Sequence, residues 1–130
     1  MSYAFSTSVP GDIDTVEEKV TAALKEEGFG VLTRIDVEAT LKKKLGIDKR
    51  PYRILGACNP ALANQALDAE PDIGLLLPCN VVVRSEENGD VTVSFMDPVS
   101  VLTLVARDDV AELAREVRSR LERVRDAISK

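Results

Sequence analysis

The chain has 130 residues, of which 45% are hydrophobic and 30% are charged, with a formal net charge of −5. This composition predicts one folded domain over residues 1–130 and excludes a disordered chain. The acidic balance argues against nucleic-acid binding, and no apolar run reaches the roughly 20 residues of a membrane span. A secretory signal has a basic start followed by an apolar block, and the first residues of the sequence do not show this pattern. We therefore expect a cytoplasmic protein.

Histidine is absent, and there are only two cysteines. The commonest general base and the commonest metal ligand are therefore missing together. Two cysteines cannot complete a zinc site by themselves. We expect neither a bound metal nor a cofactor.

One segment departs from the acidic average. Residues 42–53 carry six basic side chains against the single acidic Asp48, a local charge of +5. A charge run of this kind on a helix is usually a solvated face.

The first half of the chain alternates predicted strands and helices. Alternating apolar residues predict a strand over residues 3–9. The apolar residues that follow recur at helical spacing, which predicts a helix capped by Asp12 and ended by Gly28. A short strand at 31–35 then leads into a helix over 36–46 that carries the lysine run.

A compact apolar strand is predicted over residues 53–58. Asn59 and Pro60 are typical of a helix N-cap and first turn, so residues 61–69 are predicted to be helical. Residues 99–106 fit either a helical turn or a strand.

Residues 73–84 are predicted to form a strand that is apolar on both faces, with a break near Pro78. Asn88 and Gly89 predict a hairpin turn, after which residues 91–95 form the antiparallel partner.

A long amphipathic helix is predicted from about Asp108 to Ser129, with its valine and leucine face packed on the sheet. The order of elements predicts an α+β fold: a two-layer sandwich with a curved, mainly antiparallel sheet packed by helices.

Both cysteines precede an asparagine, as Cys58-Asn59 and Cys79-Asn80. If their strands are neighbours, the two cysteines lie on adjacent rungs, and we expect them within about 8 Å of each other. Cys58 also precedes a helix N-terminus, where the helix dipole favours a thiolate. A reducing cytoplasm would keep both as thiols. Small buried side chains, with asparagines that only cap the backbone, explain the same pattern.

Residues 51–60 and 70–81 resemble the family called domain of unknown function 302, and residues 36–46 are similar to that family's lead-in. The resemblance covers roughly residues 5–105. It implies a small bacterial or archaeal α+β domain, and no activity is established for the family. The positions that match the family pattern are Lys44, Cys58, Asn59, Pro60, Glu70, Pro78, Cys79 and Asn80.

The first functional hypothesis is a binding or interaction module for a small polar or anionic ligand or a protein partner. The ligand would lie against the helix start at Asn59, with Lys44 supplying charge. Glu70 and Asn80 would supply directional contacts. This site would also include Cys58 and Cys79.

The alternative is a redox or metal-responsive protein that uses Cys58 and Cys79. Against it, the chain has no Cys-x-x-Cys spacing and no evident base beyond Glu70. Metal capture would need Glu70 or Asp97 to complete the site, and such a ligand set suits zinc only loosely.

A homodimer is also expected. In a strand apolar on both faces, Leu76 and Val82 would form a surplus apolar face that a second copy could cover. The competing explanation is that the helices at 36–46 and 60–69 cover this face within one chain.

Overall fold

Five strands form one antiparallel sheet in the order β1-β5-β4-β3-β2. The computed structural model describes residues 2–129. The strands are β1 (Ala4–Val9), β2 (Gly30–Asp36), β3 (Tyr52–Cys58), β4 (Cys79–Ser85) and β5 (Val91–Met96). The sheet is open, so β1 and β2 are its edges.

Helices account for most of the remaining chain. They are α1 (Ile13–Glu26), α2 (Val37–Leu45), α3 (Pro60–Ala69), a 3₁₀ helix (Pro71–Leu76), α4 (Pro98–Leu102) and α5 (Asp108–Ile128). The predicted α+β class, with an antiparallel sheet packed by helices including a long C-terminal one, is confirmed. None of the helices within residues 2–129 has both the length and the apolar content needed to cross a membrane.

The first core lies where α1 and α5 pack on one face of the sheet. Alternate residues of β4 and β5 point to this face, and the pairs Val81–Phe95 and Val83–Val93 are opposite each other in the register. The helices contribute residues at helical spacing. Its main buried members are Val16, Val20, Leu24, Val81, Val83, Val93, Phe95, Leu121, Val124 and Ile128.

A second core lies beside the first and contains no strand residue among its buried members. It joins α3, the 3₁₀ helix, α4 and the first half of α5. Its buried members are Ala66, Ile73, Leu102, Val110 and Ala114. The long helix α5 therefore contributes to both cores.

The strand predicted over residues 73–84 is wrong in its first half. The 3₁₀ helix ends at Leu76, and β4 begins only at Cys79. Because a 3₁₀ helix has three residues per turn, Ile73 and Leu76 share one side, and both pack in the second core. Leu75 points outward and is 86% exposed. The apolar residues at both odd and even positions of this segment therefore reflect the period of a 3₁₀ helix rather than a strand covered on both faces.

Local signals locate the other elements well. Asp36 caps α2 through the backbone N–H of Ala39, and Gly46 ends that helix with a φ of +68°. The antiparallel hairpin of β4 and β5 is confirmed. The first part of the ambiguous segment at 99–106 lies in α4, which Asp97 caps and which ends at Leu102.

We predict that Leu121→Ala lowers the free energy of unfolding by about 2–5 kcal/mol, because Leu121 is fully buried in the first core. Urea denaturation measures the change. The matched control is Leu104→Ala, since Leu104 is 77% exposed and its truncation should change stability by less than about 0.5 kcal/mol. Equal losses for the two variants would contradict this account of the core.

Candidate functional site

A cavity of about 280 Å³ lies where the two cores meet. Ala57 and Cys79 border it from the first core, and Ala66 and Leu102 border it from the second. The cavity is therefore lined by β2, by the adjoining ends of β3 and β4, by three helices and by the 3₁₀ helix. It is partly open to solvent.

Both cysteines line this cavity. Strands β3 and β4 are neighbours, which meets the condition stated for the cysteine pair, and Ala57 lies opposite Cys79 in their register. Cys58 follows Ala57 at the last position of β3. Both are free thiols, with Cys79 buried and Cys58 partly exposed. The expected separation of about 8 Å stays a prediction.

Burial controls the acidity of the two thiols. It raises the pKa of Cys79 to about 11, and the nearby Cys58 adds a smaller increase. Burial also raises the pKa of Cys58. The thiolate expected at Cys58 from the adjacent helix start is therefore disfavoured, because burial removes water from the charged form of the side chain. At neutral pH both side chains are protonated.

Asn59 is buried and caps α3. Its Oδ1 accepts a hydrogen bond from the backbone N–H of Leu62 at 3.2 Å. Its Nδ2 lies against Gly28, where a Cβ would approach within 2.9 Å. Gly28 also has a φ of +86°, which disfavours side chains. Both the positive φ and the close approach therefore favour glycine at this position. The capping role predicted for Asn59 is confirmed, although the side chain also borders the cavity.

Three predicted site residues do not line the cavity: Lys44, Glu70 and Asn80. Lys44 is exposed in the last turn of α2. Asn80 follows Cys79 in β4, so strand alternation directs it to the opposite face of the sheet, where it is exposed. Glu70 ends α3, and its backbone binds Ala66 and the 3₁₀ helix. The predicted six-residue site is therefore divided.

The cavity wall is apolar apart from Asn59 and the two thiols. Apart from Pro78, which matches the family pattern, sequence patterns did not identify its other members, because their proximity depends on how the helices pack against the sheet. They are Phe29, Leu32, Ala57, Leu62, Ala63, Ala66, Leu67, Gly74, Leu77, Pro78, Leu102, Leu113 and Val117. Leu32 is 67% exposed and Leu67 is 42% exposed, so both leucines form an apolar rim at the opening.

The described residues do not assemble a metal centre. Within residues 2–129, no three His, Cys, Asp or Glu side chains are grouped so that they could hold a metal ion. Asp97, one of the two carboxylates considered for that role, instead caps α4 and forms an ion pair with Arg118. Its carboxylate oxygens are thus already bound within the protein.

Comparison with known proteins supports the fold. The crystal structure of an uncharacterized conserved DUF302 protein from Bacillus stearothermophilus superimposes with a TM-score of 0.91 and 29% sequence identity. That match covers 98% of this chain and 99% of the other. No curated protein matches. The family model described as domain of unknown function DUF302 matches residues 5–128, so the chain belongs to this family, as its paired Cys-Asn motifs predict.

Proposed function

We propose that this chain is a binding module for a small apolar ligand, which occupies the cavity between the two cores. The observation that carries the proposal is the chemistry of the wall, where Asn59 and two protonated thiols are the polar side chains among the lining residues. A cavity of about 150 Å³ holds benzene, so about 280 Å³ would hold a ligand of roughly ten non-hydrogen atoms.

This ligand differs from the polar or anionic one that the sequence suggests. No charged side chain lines the cavity. An anion would lose its hydration there without gaining a counter-charge, which is costly. An apolar ligand would instead gain about 25 cal/mol for each Å² of apolar surface that leaves water.

The opening supports the same choice. Leu32 and Leu67 expose apolar surface at the rim, and Leu75 exposes more beside the lining residue Gly74. Grouped exposed leucines are typical of interaction sites. A ligand that extends from the cavity would cover them, and so would an apolar side chain of a protein partner.

A thiol function is the second candidate, because both cysteines line one cavity. A reactive thiol needs a stabilised thiolate. Burial raises both pKa values instead, so the arrangement favours inert wall groups over redox chemistry. We also propose a cytoplasmic location, where a reducing environment would maintain the free thiols.

Self-association is a separate proposal. Leu76 no longer supports it, since that side chain packs in the second core. Ile35, Ile54 and Val82 nevertheless form an aliphatic row across three paired strands. This row lies on the face opposite Val81 and Val83, and Ile35 is 49% exposed. We propose that a second copy covers it in a homodimer.

We predict that butylbenzene, an apolar probe of suitable size, binds the wild-type protein and shifts the amide NMR signals of residues around the cavity. Ala63→Phe should weaken binding at least about tenfold, because Ala63 lines the cavity and the larger ring would fill it. Ala61→Phe is the matched control on the same helix, since Ala61 is exposed and outside the lining. Absence of wild-type binding, or equal effects of both variants, would refute the proposal.

We predict that alkylation by iodoacetamide is slow at both thiols near neutral pH. The thiolate reacts, so each rate rises as pH increases towards the pKa. In Cys58→Ser, which leaves Cys79, the rate should still be rising at pH 10, because the pKa of Cys79 is about 11. In Cys79→Ser, the more exposed Cys58 should react faster. A rate at either cysteine that reaches its plateau below pH 8 would favour the thiol function.

We predict that sedimentation equilibrium at micromolar concentration gives the mass of two chains. Ile35→Lys should reduce it to one chain, because a charge would be buried in the proposed interface. Leu104→Lys, at an exposed leucine outside the aliphatic row, should leave the dimer intact. A wild-type mass of one chain would exclude the homodimer.

A further inference from the structure

A second concave site lies at the other end of β3 and shares no residue with the cavity. It has a volume of about 660 Å³ and lies between α2, the connection from α2 to β3 and the end of β4. We call it the basic cleft. Its lining residues are Val37, Leu41, Asp48, Lys49, Arg50, Pro51, Tyr52, Arg84, Ser85 and Glu86.

The cleft retains positive charge because its two carboxylates are already paired. Asp48 accepts a hydrogen bond from Lys42 at 2.9 Å, and Glu86 accepts one from Arg84 at 3.0 Å. Lys49 and Arg50 form no ion pair with any residue in the described range 2–129.

Arg50 is also oriented by the fold. Its Nε donates to the backbone carbonyl of Ser85 at 3.3 Å, which leaves the two terminal guanidinium nitrogens for another acceptor. Arginine presents these donors in a fork that matches phosphate oxygens. Two unpaired cations in one cleft would balance a phosphate monoester, which carries a charge of about −1.5 to −2 at neutral pH.

The rest of the wall is apolar or aromatic. Val37 and Leu41 come from one side of α2, while Pro51 precedes β3 and Tyr52 is its first residue. The Tyr52 ring is partly exposed and offers a flat surface to a ligand. Lys43 and Lys44, although in the same basic run, do not line the cleft. They fit the solvated face that the sequence predicts, whereas Lys49 and Arg50 belong to a concave site.

We propose that the basic cleft binds a small organic phosphate in which the phosphate group is attached to a planar body. The phosphate lies against Lys49 and Arg50, and the planar body packs on Tyr52. The proposal includes both parts because charged, apolar and aromatic side chains line the same cleft.

The test is an NMR titration of the full chain with AMP, with inorganic phosphate and adenosine as half-ligands. Millimolar AMP should shift the amide signals of residues 48–52 and 84–86, and each half-ligand should bind more weakly than AMP. Lys49→Ala should weaken AMP binding about tenfold, since it removes a charge-assisted contact. Arg50→Ala should do the same.

The matched control is Lys43→Ala, which removes an equal charge from the same basic run outside the cleft. AMP binding by this variant should stay within about twofold of wild type, since an exposed lysine outside the cleft makes no contact with the phosphate. The proposal is overturned if AMP shifts no signal in the cleft, if Lys43→Ala and Lys49→Ala weaken binding equally, or if adenosine binds as tightly as AMP.

Discussion

The structure depends on a single helix that packs against two cores. In α5, Val110 and Ala114 belong to the second core, while Leu121 and Ile128 belong to the first. One continuous helix of 21 residues thus fixes the position of the α3–α4 region relative to the sheet. Leu113, which packs in the second core, and Val117, which belongs to the first, both border the cavity, so the candidate site follows from the way the helix joins the cores.

A buried carboxylate reinforces this junction. Asp97 is 5% exposed, caps α4 through Val99 and forms an ion pair with Arg118 of α5. The Arg118 guanidinium also lies 5.2 Å from the centre of the Phe5 ring, and that of Arg125 lies 5.4 Å from it. The Asp97 side chain therefore connects α4 to α5, and Arg118 extends this contact to Phe5 of β1. Removing one partner of the pair would leave an uncompensated charge.

The sequence was most informative where a single residue type determines local geometry. Gly46 and Asn59 end or begin helices at the predicted positions, since left-handed backbone and a side-chain acceptor are local requirements. The strand predicted at residues 73–77 was wrong because a short apolar run fits both the strand period and the 3₁₀ period. In the candidate site, the pairing of β3 with β4 places both cysteines at the cavity, whereas strand alternation directs Asn80 to the opposite face of the sheet. Leu67 lines the same cavity only because of the way α3 packs, which no local sequence pattern encodes.

The two proposed sites require two different ligands. Strand β3 runs from Tyr52, at the basic cleft, to Cys58, at the cavity. Six residue steps at about 3.3 Å separate these ends by roughly 20 Å. Between these ends, Gly56 packs against Thr33 and Pro78, where a Cβ would lie 2.8 Å from Pro78 Cγ. A ligand of roughly ten non-hydrogen atoms, the size that about 280 Å³ admits, is too short to reach both ends. The apolar and anionic preferences therefore belong to separate molecules.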